Sequence, residues 1–386
     1  MRLSRRAFVR AASAAAVAGA LDRWLGAQAL RPVDGGRLLR TMPLGRFDGR
    51  PAPPMHQLLG AGLDARQFTD LSVLAPDRLV TPTEHFYIRT AHPPLPAIDG
   101  WRLALGGRVE REQELGLRTL QEQAIDIGIR LMECAGNSDP ANFGLLSAAH
   151  WDGVPMAAVL DRVRPQAPSG RLRVSGLDDE QRPSVTSNPG ASWIFTRDEL
   201  ERRGAFLATA MNGAPLTPDH GAPIRLVVPN YYGCACIKWV TRIDWVADDE
   251  PATTQMLEFS SRTHQAGIPR RARDYAPPVI ELAAAPVRVE QWQVGDRLSY
   301  RVVGVRWGGE SRVAPLTIRF RSGERPMPVT DVPDTDNPAT WSLWSHEWTP
   351  DAPGRYQIAL GVSDRSVPAR RLELYFYTRA VEIDRV

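Results

Sequence analysis

The sequence predicts an α+β protein in two parts, and three observations carry that prediction. Between Glu84 and Val246, strand-like and helix-like stretches alternate irregularly. Beyond residue 295 the chain turns to short alternating apolar–polar runs separated by proline, glycine, aspartate and asparagine. That spacing suits a β-sandwich of ~100 residues, immunoglobulin-like in kind. Proline (33) and glycine (31) are plentiful in the 386 residues, as loop-rich β proteins require. The expected units are residues 1–29 as a removable address, 30–255 as a mixed α+β domain, and 256–386 as a linker followed by the all-β domain.

Residues 1–29 read as an export signal. Ser4-Arg5-Arg6-Ala7-Phe8-Val9-Arg10 fits the twin-arginine pattern, an alanine-rich stretch follows to Leu21, and Ala27-Gln28-Ala29 supplies a cleavage site. With Asp22 and Arg23 close behind, the apolar stretch is too short and too polar to span a bilayer. The twin-arginine route carries folded, typically cofactor-loaded proteins, so the expected location is the bacterial periplasm.

Residues 30–80 show few periods, with a short helix expected over Asp64–Leu71. Trp101–Val109 alternates as a half-buried strand does. So do Ile125, Ile127, Ile129 and Leu131, which lead into Met132-Glu133-Cys134-Ala135-Gly136-Asn137, a strand ending in a small-residue loop that presents a cysteine. Helices are expected over Val154–Val163 and Arg197–Arg203, and strands over Ile224–Pro229 and Ile237–Val246. Residues 251–295 read as loop. Strands are then expected at Leu298–Val305, Leu316–Arg321, Trp341–Trp348, Tyr356–Val362 and Leu372–Tyr377. Trp341, Trp344 and Trp348 suit a sandwich core better than an interface.

Charge narrows the partners. The whole chain is +3, but residues 1–29 carry five arginines against Asp22, a net +4, so the remainder stands at −1. A near-neutral chain has no field to gather nucleic acid. Its basic residues are arginines with one exception, Lys238. A lone lysine marks either a place that needs a compact ammonium or chance survival. The three cysteines, 134, 234 and 236, form no even disulfide framework and no zinc-finger spacing. Cys134 alone reads two ways, as a small buried hydrophobe or as a soft thiolate for a redox metal beneath a loop of small residues.

Several segments, in order, carry a resemblance. Met132–Asn137 resembles the cysteine loop of the sulfite oxidase family of molybdopterin enzymes. Phe86-Tyr87-Ile88-Arg89-Thr90-Ala91-His92 resembles the family's aromatic-aromatic-V-R-x-H segment with one residue inserted. Ala149-His150-Trp151-Asp152-Gly153-Val154 resembles the stretch that places a tryptophan over the substrate pocket. Met211–Leu216, His220–Arg225, Val227–Pro229 and Ile237-Lys238-Trp239 follow the family's order, Arg273-Asp274-Tyr275 resembles the inter-domain link, and Trp307–Arg312 resembles the glycine-rich turn that sends an arginine into the active site. The match is collinear over roughly 230 residues.

The resemblance implies a sulfite-oxidase-type molybdopterin-binding domain holding a molybdenum–pyranopterin, with Cys134 as metal ligand. Arg89, His92, His220, Arg225, Cys236 and Lys238 are implied around the cofactor, and Arg89, Trp151 and Arg312 at the substrate. It implies oxygen-atom transfer on a small sulfur compound, in the manner of sulfite dehydrogenases. Electrons would leave for a separate c-type cytochrome or quinone-linked carrier, since no C-x-x-C-H haem site is present. A homodimer through the second domain is also implied. Two positions depart from the family: Thr209 replaces an active-site tyrosine, and Asp139 replaces a second pocket arginine. Both weaken the case for sulfite itself and favour a larger or neutral sulfur compound, or reduction of an S- or N-oxide. Outside the enzymes stands a third reading, a non-catalytic immunoglobulin-like binding protein in which Cys134 is merely buried.

Overall fold

The computed structural model describes residues 30–386 apart from 139–142, 167–169, 179–183, 185–186, 188, 265–276, 310–314, 334, 336–338, 365 and 375. The export signal, Asp139, Arg273–Tyr275 and Arg312 therefore lie outside the described residues.

Two sheets build the first half. In one, Phe206–Met211 is flanked by Leu146–Pro155 and by the short strands Ala214–Pro215 and Arg225–Val227, with Ile125–Glu133 beyond Leu146–Pro155. Phe206–Met211 is almost wholly buried and apolar apart from Thr209, as suits a central strand. In the other sheet Val240–Val246 runs parallel to Arg102–Gly107 and antiparallel to Arg171–Gly176, with Ser192–Thr196 and Gln113–Gly116 at the edges. Helix Arg197–Arg202 starts where expected, on a capping box between Thr196 and Glu199. The expected helix over Val154–Val163 shrinks to Met156–Leu160, because the preceding strand runs on to Pro155.

Two further sheets build the second half. Ala283–Val294 and Arg297–Trp307 form a long antiparallel hairpin turned by Gly295 (φ +57°) and Asp296. Ser342–Trp348 extends it, opposite Gly304, where any side chain would meet the Trp344 ring at 2.0 Å. The other sheet contains Leu316–Arg319, Gly354–Val362 and Arg379–Ile383. Aromatic rings tie the two together: Phe320 stacks on Trp348 at 4.0 Å, and Trp348 meets Tyr356 edge-on at 4.7 Å. Trp341 and Trp344 are fully buried, so both serve the core.

The chain's N-terminal stretch belongs with the second half. Arg37–Pro43 pairs with Ala283–Val294, and Gly45–Arg46 pairs with Arg379–Ile383. These strands place residues 37–46 on sheets that lie beyond the expected boundary at 255. Three other expectations fail. The helix expected at Asp64–Leu71 is a 3-10 turn, the two-residue strand Arg66–Gln67 and a second 3-10 turn, because buried Gln67 reaches across to the carbonyls of Glu84 and Phe86 and holds the chain extended. In place of the strand expected at Leu372–Tyr377, the described residues of that stretch form turns and a bend, with Tyr377 N–H donating to Leu374 O at 2.9 Å. The loop expected over 251–295 contains helix Thr254–His264 and the twelve-residue strand Ala283–Val294. That strand is buried along ten residues, so it lacks the alternation that marks a half-exposed one. Among the described residues no helix is long and apolar enough to cross a membrane.

Candidate active site

Strand Ile125–Glu133 delivers Cys134 to the mouth of a 3-10 turn, Ala135–Ser138. Backbone bonds fix it there: Cys134 N–H donates to Leu145 O at 2.9 Å, and Asn137 N–H donates to Cys134 O at 2.9 Å. Gly136 N–H points at the thiol, 3.3 Å from Sγ. Asn137 closes the loop from within. Its Oδ1 accepts Gly144 N–H (2.9 Å) and Leu145 N–H (3.0 Å), and its Nδ2 donates to Glu133 Oε1 (2.9 Å).

Glu133 is fully buried, which would be costly alone. Arg370 from the second half grips it with both terminal nitrogens, at 2.7 and 2.6 Å, and Trp307 Nε1–H adds a third bond at 2.9 Å. Glu133 beside it is the largest cause after burial in the Arg370 shift, and the guanidinium pKa ends well above its ordinary value. The residue next to the cysteine is thus anchored by a buried ion pair across the two halves.

A cavity opens over Cys134. Its walls include Arg89, His220, Arg225, Cys236 and Lys238, so the structure brings these five together with Cys134. Arg225 is 5% exposed, and its terminal nitrogens reach only His220 O (3.1 Å), Cys236 O (3.2 Å) and Met132 Sδ (3.1 Å). Lys238 Nζ donates to Thr90 O (2.5 Å) and Asp219 O (2.9 Å) and sits 4.2 Å over the Trp239 ring. Among the described residues no carboxylate oxygen lies within 4.0 Å of either cation. Burial drives both pKa values down, that of Lys238 strongly, with Arg225 adding to the effect. Gly221 makes this crowding possible. It takes φ +104°, and a Cβ there would come within 3.0 Å of Arg225 Cβ and 3.1 Å of Lys238 Cβ.

His220 completes the basic wall as a neutral group. Burial, Arg225 and Lys238 push its pKa down to about 4, while Thr217 Oγ1 meets Nδ1 at 2.6 Å. Arg89 bonds Leu63 O and Ser187 Oγ. A buried guanidinium and a half-buried ammonium that bond neutral atoms, beside a thiol, suit an anion tethered to a soft metal. That donor set fits the phosphate, pterin and molybdenum of the expected cofactor.

Two expected residues stand elsewhere. Trp151 does not line the cavity. It is fully buried behind it, edge-on to Phe86 at 5.9 Å and Phe206 at 6.4 Å, with the Arg225 guanidinium 5.8 Å from its ring. Leu146–Pro155 is sandwiched by neighbouring strands, and residue 151 faces that core. His92 is exposed. Thr90 takes φ +96° and turns the chain outward, His92 N–H donates to Asp219 Oδ1 (2.9 Å), and its ring meets Pro93 O (2.9 Å). Thr209 is buried at a bulge opposite Gly153 and Asp152 and does not reach the cavity either.

The sequence reading missed Cys234, which also lines the cavity; all three cysteines are free. Burial raises the pKa of Cys236, and raises that of Cys234 strongly with Cys134 nearby. The signal was present, since Cys234, Cys236 and Lys238 fall at every second position. A different set of possible metal ligands, Asp126, His150 and Asp152, lies near the far end of the cysteine strand and offers hard oxygen and imidazole donors, not soft ones.

Comparison with known proteins agrees with this chemistry. Residues 91–254 match the oxidoreductase molybdopterin binding domain, a span containing Cys134, His220, Arg225, Cys236 and Lys238. Sulfite oxidase of Gallus gallus is 27% identical over 298 residues, covering 70% of this chain and 63% of that protein. An NADPH nitrate reductase of Aspergillus niger is 29% identical over 287 residues, covering 66% of this chain and 32% of that protein. One from Mycosarcoma maydis is 31% identical over 214 residues, 47% of this chain and 21% of that protein. The chain thus spans less than two thirds of each of these relatives. The fold matches the crystal structure of the sulfane dehydrogenase SoxCD from Paracoccus pantotrophus with a TM-score of 0.63 at 17% identity, over 85% of this chain and 89% of that one. On these matches, and on a cysteine loop set beside a basic wall, the chain carries a molybdopterin-binding oxidoreductase domain and is similar to the sulfite oxidases.

Proposed function

We propose that the protein transfers an oxygen atom to or from a small, sulfur-containing substrate at a molybdenum–pyranopterin held over Cys134. The observation that carries this reading is a pair of cations beside that thiol, buried Arg225 and half-buried Lys238, whose hydrogen bonds among the described residues go to neutral atoms. When bound, the cofactor supplies two-electron oxygen-atom exchange, which no side chain here can perform. The chain's own work is to bind and orient. Cys134 Sγ would be the protein's metal ligand. Arg225 and Lys238, with Arg89 beside them, would neutralise phosphate and pterin charge. Neutral His220 can exchange a hydrogen bond with the pterin without adding charge. Arg370, through Glu133, holds the cysteine peptide in place.

Substrate, direction, partner and location form the rest of the proposal. The sulfite oxidases among the relatives and the sulfane dehydrogenase fold support oxidation of a sulfur compound. Arg312 is proposed to bring a second cation to an anionic substrate. The nitrate reductases among the relatives support the reverse reading, reduction of an oxide on the same cofactor. Electrons are proposed to pass singly to a separate c-type cytochrome or quinone-linked carrier, in the periplasm that the twin-arginine pattern indicates. The second half is proposed to be an immunoglobulin-like sandwich that pairs two copies of the chain. Protein purified from the periplasm should hold about one molybdenum per chain, lost in Cys134→Ser. It should reduce cytochrome c with sulfite or a larger sulfur compound. Turnover of sulfoxides or nitrate with reduced viologen, without sulfur oxidation, would establish the reverse reading. Metal-free protein from a host with an intact cofactor pathway would sink both and leave a binding protein.

A further inference from the structure

A second cavity, of about 220 Å³, shares no residue with the first. It lies between Pro43–Met55, the Thr69–Ser72 turn, Phe143, Val287 and the pair Phe376 and Arg379. Four charged side chains line it, and three are accounted for within the chain. Arg46 places Nε and Nη2 on the two oxygens of Asp48, at 3.0 and 2.7 Å, and Asp48 also accepts Arg50 N–H at 3.1 Å. Asp70 caps the neighbouring 3-10 turn by accepting Ser72 N–H at 2.8 Å.

Arg379 is the fourth. It is 8% exposed, and only Nη1 is used, donating to Phe376 O (2.8 Å) and Thr378 O (3.0 Å). Its guanidinium carbon lies 4.1 Å from the centre of the Phe143 ring. Nε and Nη2 have no hydrogen-bond partner among the described residues, yet neither is sealed off. No carboxylate oxygen among those residues lies within 4.0 Å. The Nε–Nη2 edge is the side by which a guanidinium takes a carboxylate with two parallel bonds, as Arg46 does in the same cavity. Burial, and then the Arg46 charge, lower the Arg379 pKa to about 10, with Asp48 only partly opposing them. The remaining walls are apolar: Leu44, Met55, Leu71, Val287, Phe143 and Phe376.

We propose that this cavity binds a small monocarboxylate with an apolar body, its carboxylate side-on to Arg379 and its body against Phe143, Phe376 and Val287. One open guanidinium edge matches one negative charge, and Asp48 and Asp70 in the walls disfavour a polyanion. The proposal stands independently of the molybdenum chemistry.

Calorimetric titration of the full-length, cofactor-loaded protein tests it, with benzoate as probe. Benzamide supplies the same shape without the charge, and acetate the charge without the body. Benzoate should bind saturably, one per chain, at least tenfold tighter than either control. Arg379→Gln should weaken it at least tenfold. Val287→Phe, which fills the cavity and leaves the cation in place, should do the same and decides the matter if the first variant does not fold. Benzoate binding no tighter than benzamide, or unchanged in Val287→Phe, would overturn the proposal.

Discussion

Arg370 and Arg225 are both buried guanidiniums within reach of the cysteine loop, and burial has opposite outcomes for them. Arg370 meets a carboxylate with two bonds, and its charged form is stabilised. Arg225 meets carbonyls and a thioether, and its charged form is destabilised. A chain that needed only a stable core would not leave Arg225 and Lys238 without an anion, because desolvating a cation is costly. The difference separates a structural cation, whose counter-charge is built into the fold, from functional ones, whose counter-charge arrives with a ligand. Substitutions in the cofactor-free protein test this difference.

The largest effect is expected at Arg370. Arg370→Met leaves Glu133 charged, fully buried and held only by Trp307 and Asn137, which should cost about 3–5 kcal/mol. Urea unfolding measures this, and Glu133→Gln in the same chain should recover a large part. If Arg370→Met unfolds like the parent, the anchoring role of the pair is wrong.

Acid comes next. The His220 imidazole has a pKa near 4 in the fold and about 6.5 when unfolded. As pH falls through 6.5 the unfolded chain takes up a proton that the fold refuses until about pH 4. Stability present above pH 6.5 is therefore lost across that window, by about 3 kcal/mol. Unfolding midpoints of the apoprotein should fall between pH 7 and pH 4, and His220→Gln should flatten the fall. Bound phosphate beside His220 would favour the charged ring, so the loaded protein should be less acid-sensitive. Equal slopes in loaded and empty protein would remove His220 from the cofactor's surroundings.

These contrasts also show what the sequence could carry. The Cys134 loop was legible because its chemistry is local: a strand period, then small residues that let a large group approach. The basic wall was legible as motifs in order, with Lys238 set apart as the one lysine. The Glu133–Arg370 pair was not, since 237 residues separate its members and nothing in either neighbourhood names the other. Trp151 shows a different gap. Its motif gave a position along the chain, yet only the pairing of Leu146–Pro155 decides which face of the strand looks at the cavity. His92 failed at the inserted residue, where Thr90 turns the chain outward. Strand Ala283–Val294 escaped because burial on both faces erases the period that reveals a strand, and its charged residues, Arg288 and Glu290, pair inside.

Asn137 should show an intermediate effect. Asn137→Ala removes three buried hydrogen bonds, and leaving two backbone N–H groups unpaired should cost about 2 kcal/mol. Because those N–H groups close the loop over Cys134, the apoprotein thiol should also react faster with a thiol reagent. A loss of stability without faster labelling would place Asn137 in the core's upkeep alone.

The smallest effect on the fold, and the sharpest on function, is expected at Arg225. Arg225→Met leaves His220 O and Cys236 O without a donor, but it also removes a desolvated charge that no anion offsets. The two changes oppose each other, so apoprotein stability should move by no more than about 1 kcal/mol. Cofactor retention should not survive so well. With the buried one of the two cations gone, molybdenum and pterin recovered per chain should drop at least about tenfold, equivalent to ~1.4 kcal/mol of binding. Metal analysis and pterin fluorescence of the same preparation measure it. If Arg225→Met instead unfolds as easily as Arg370→Met while keeping its molybdenum, Arg225 is a structural cation and the basic wall must be reassigned to Lys238 and Arg89.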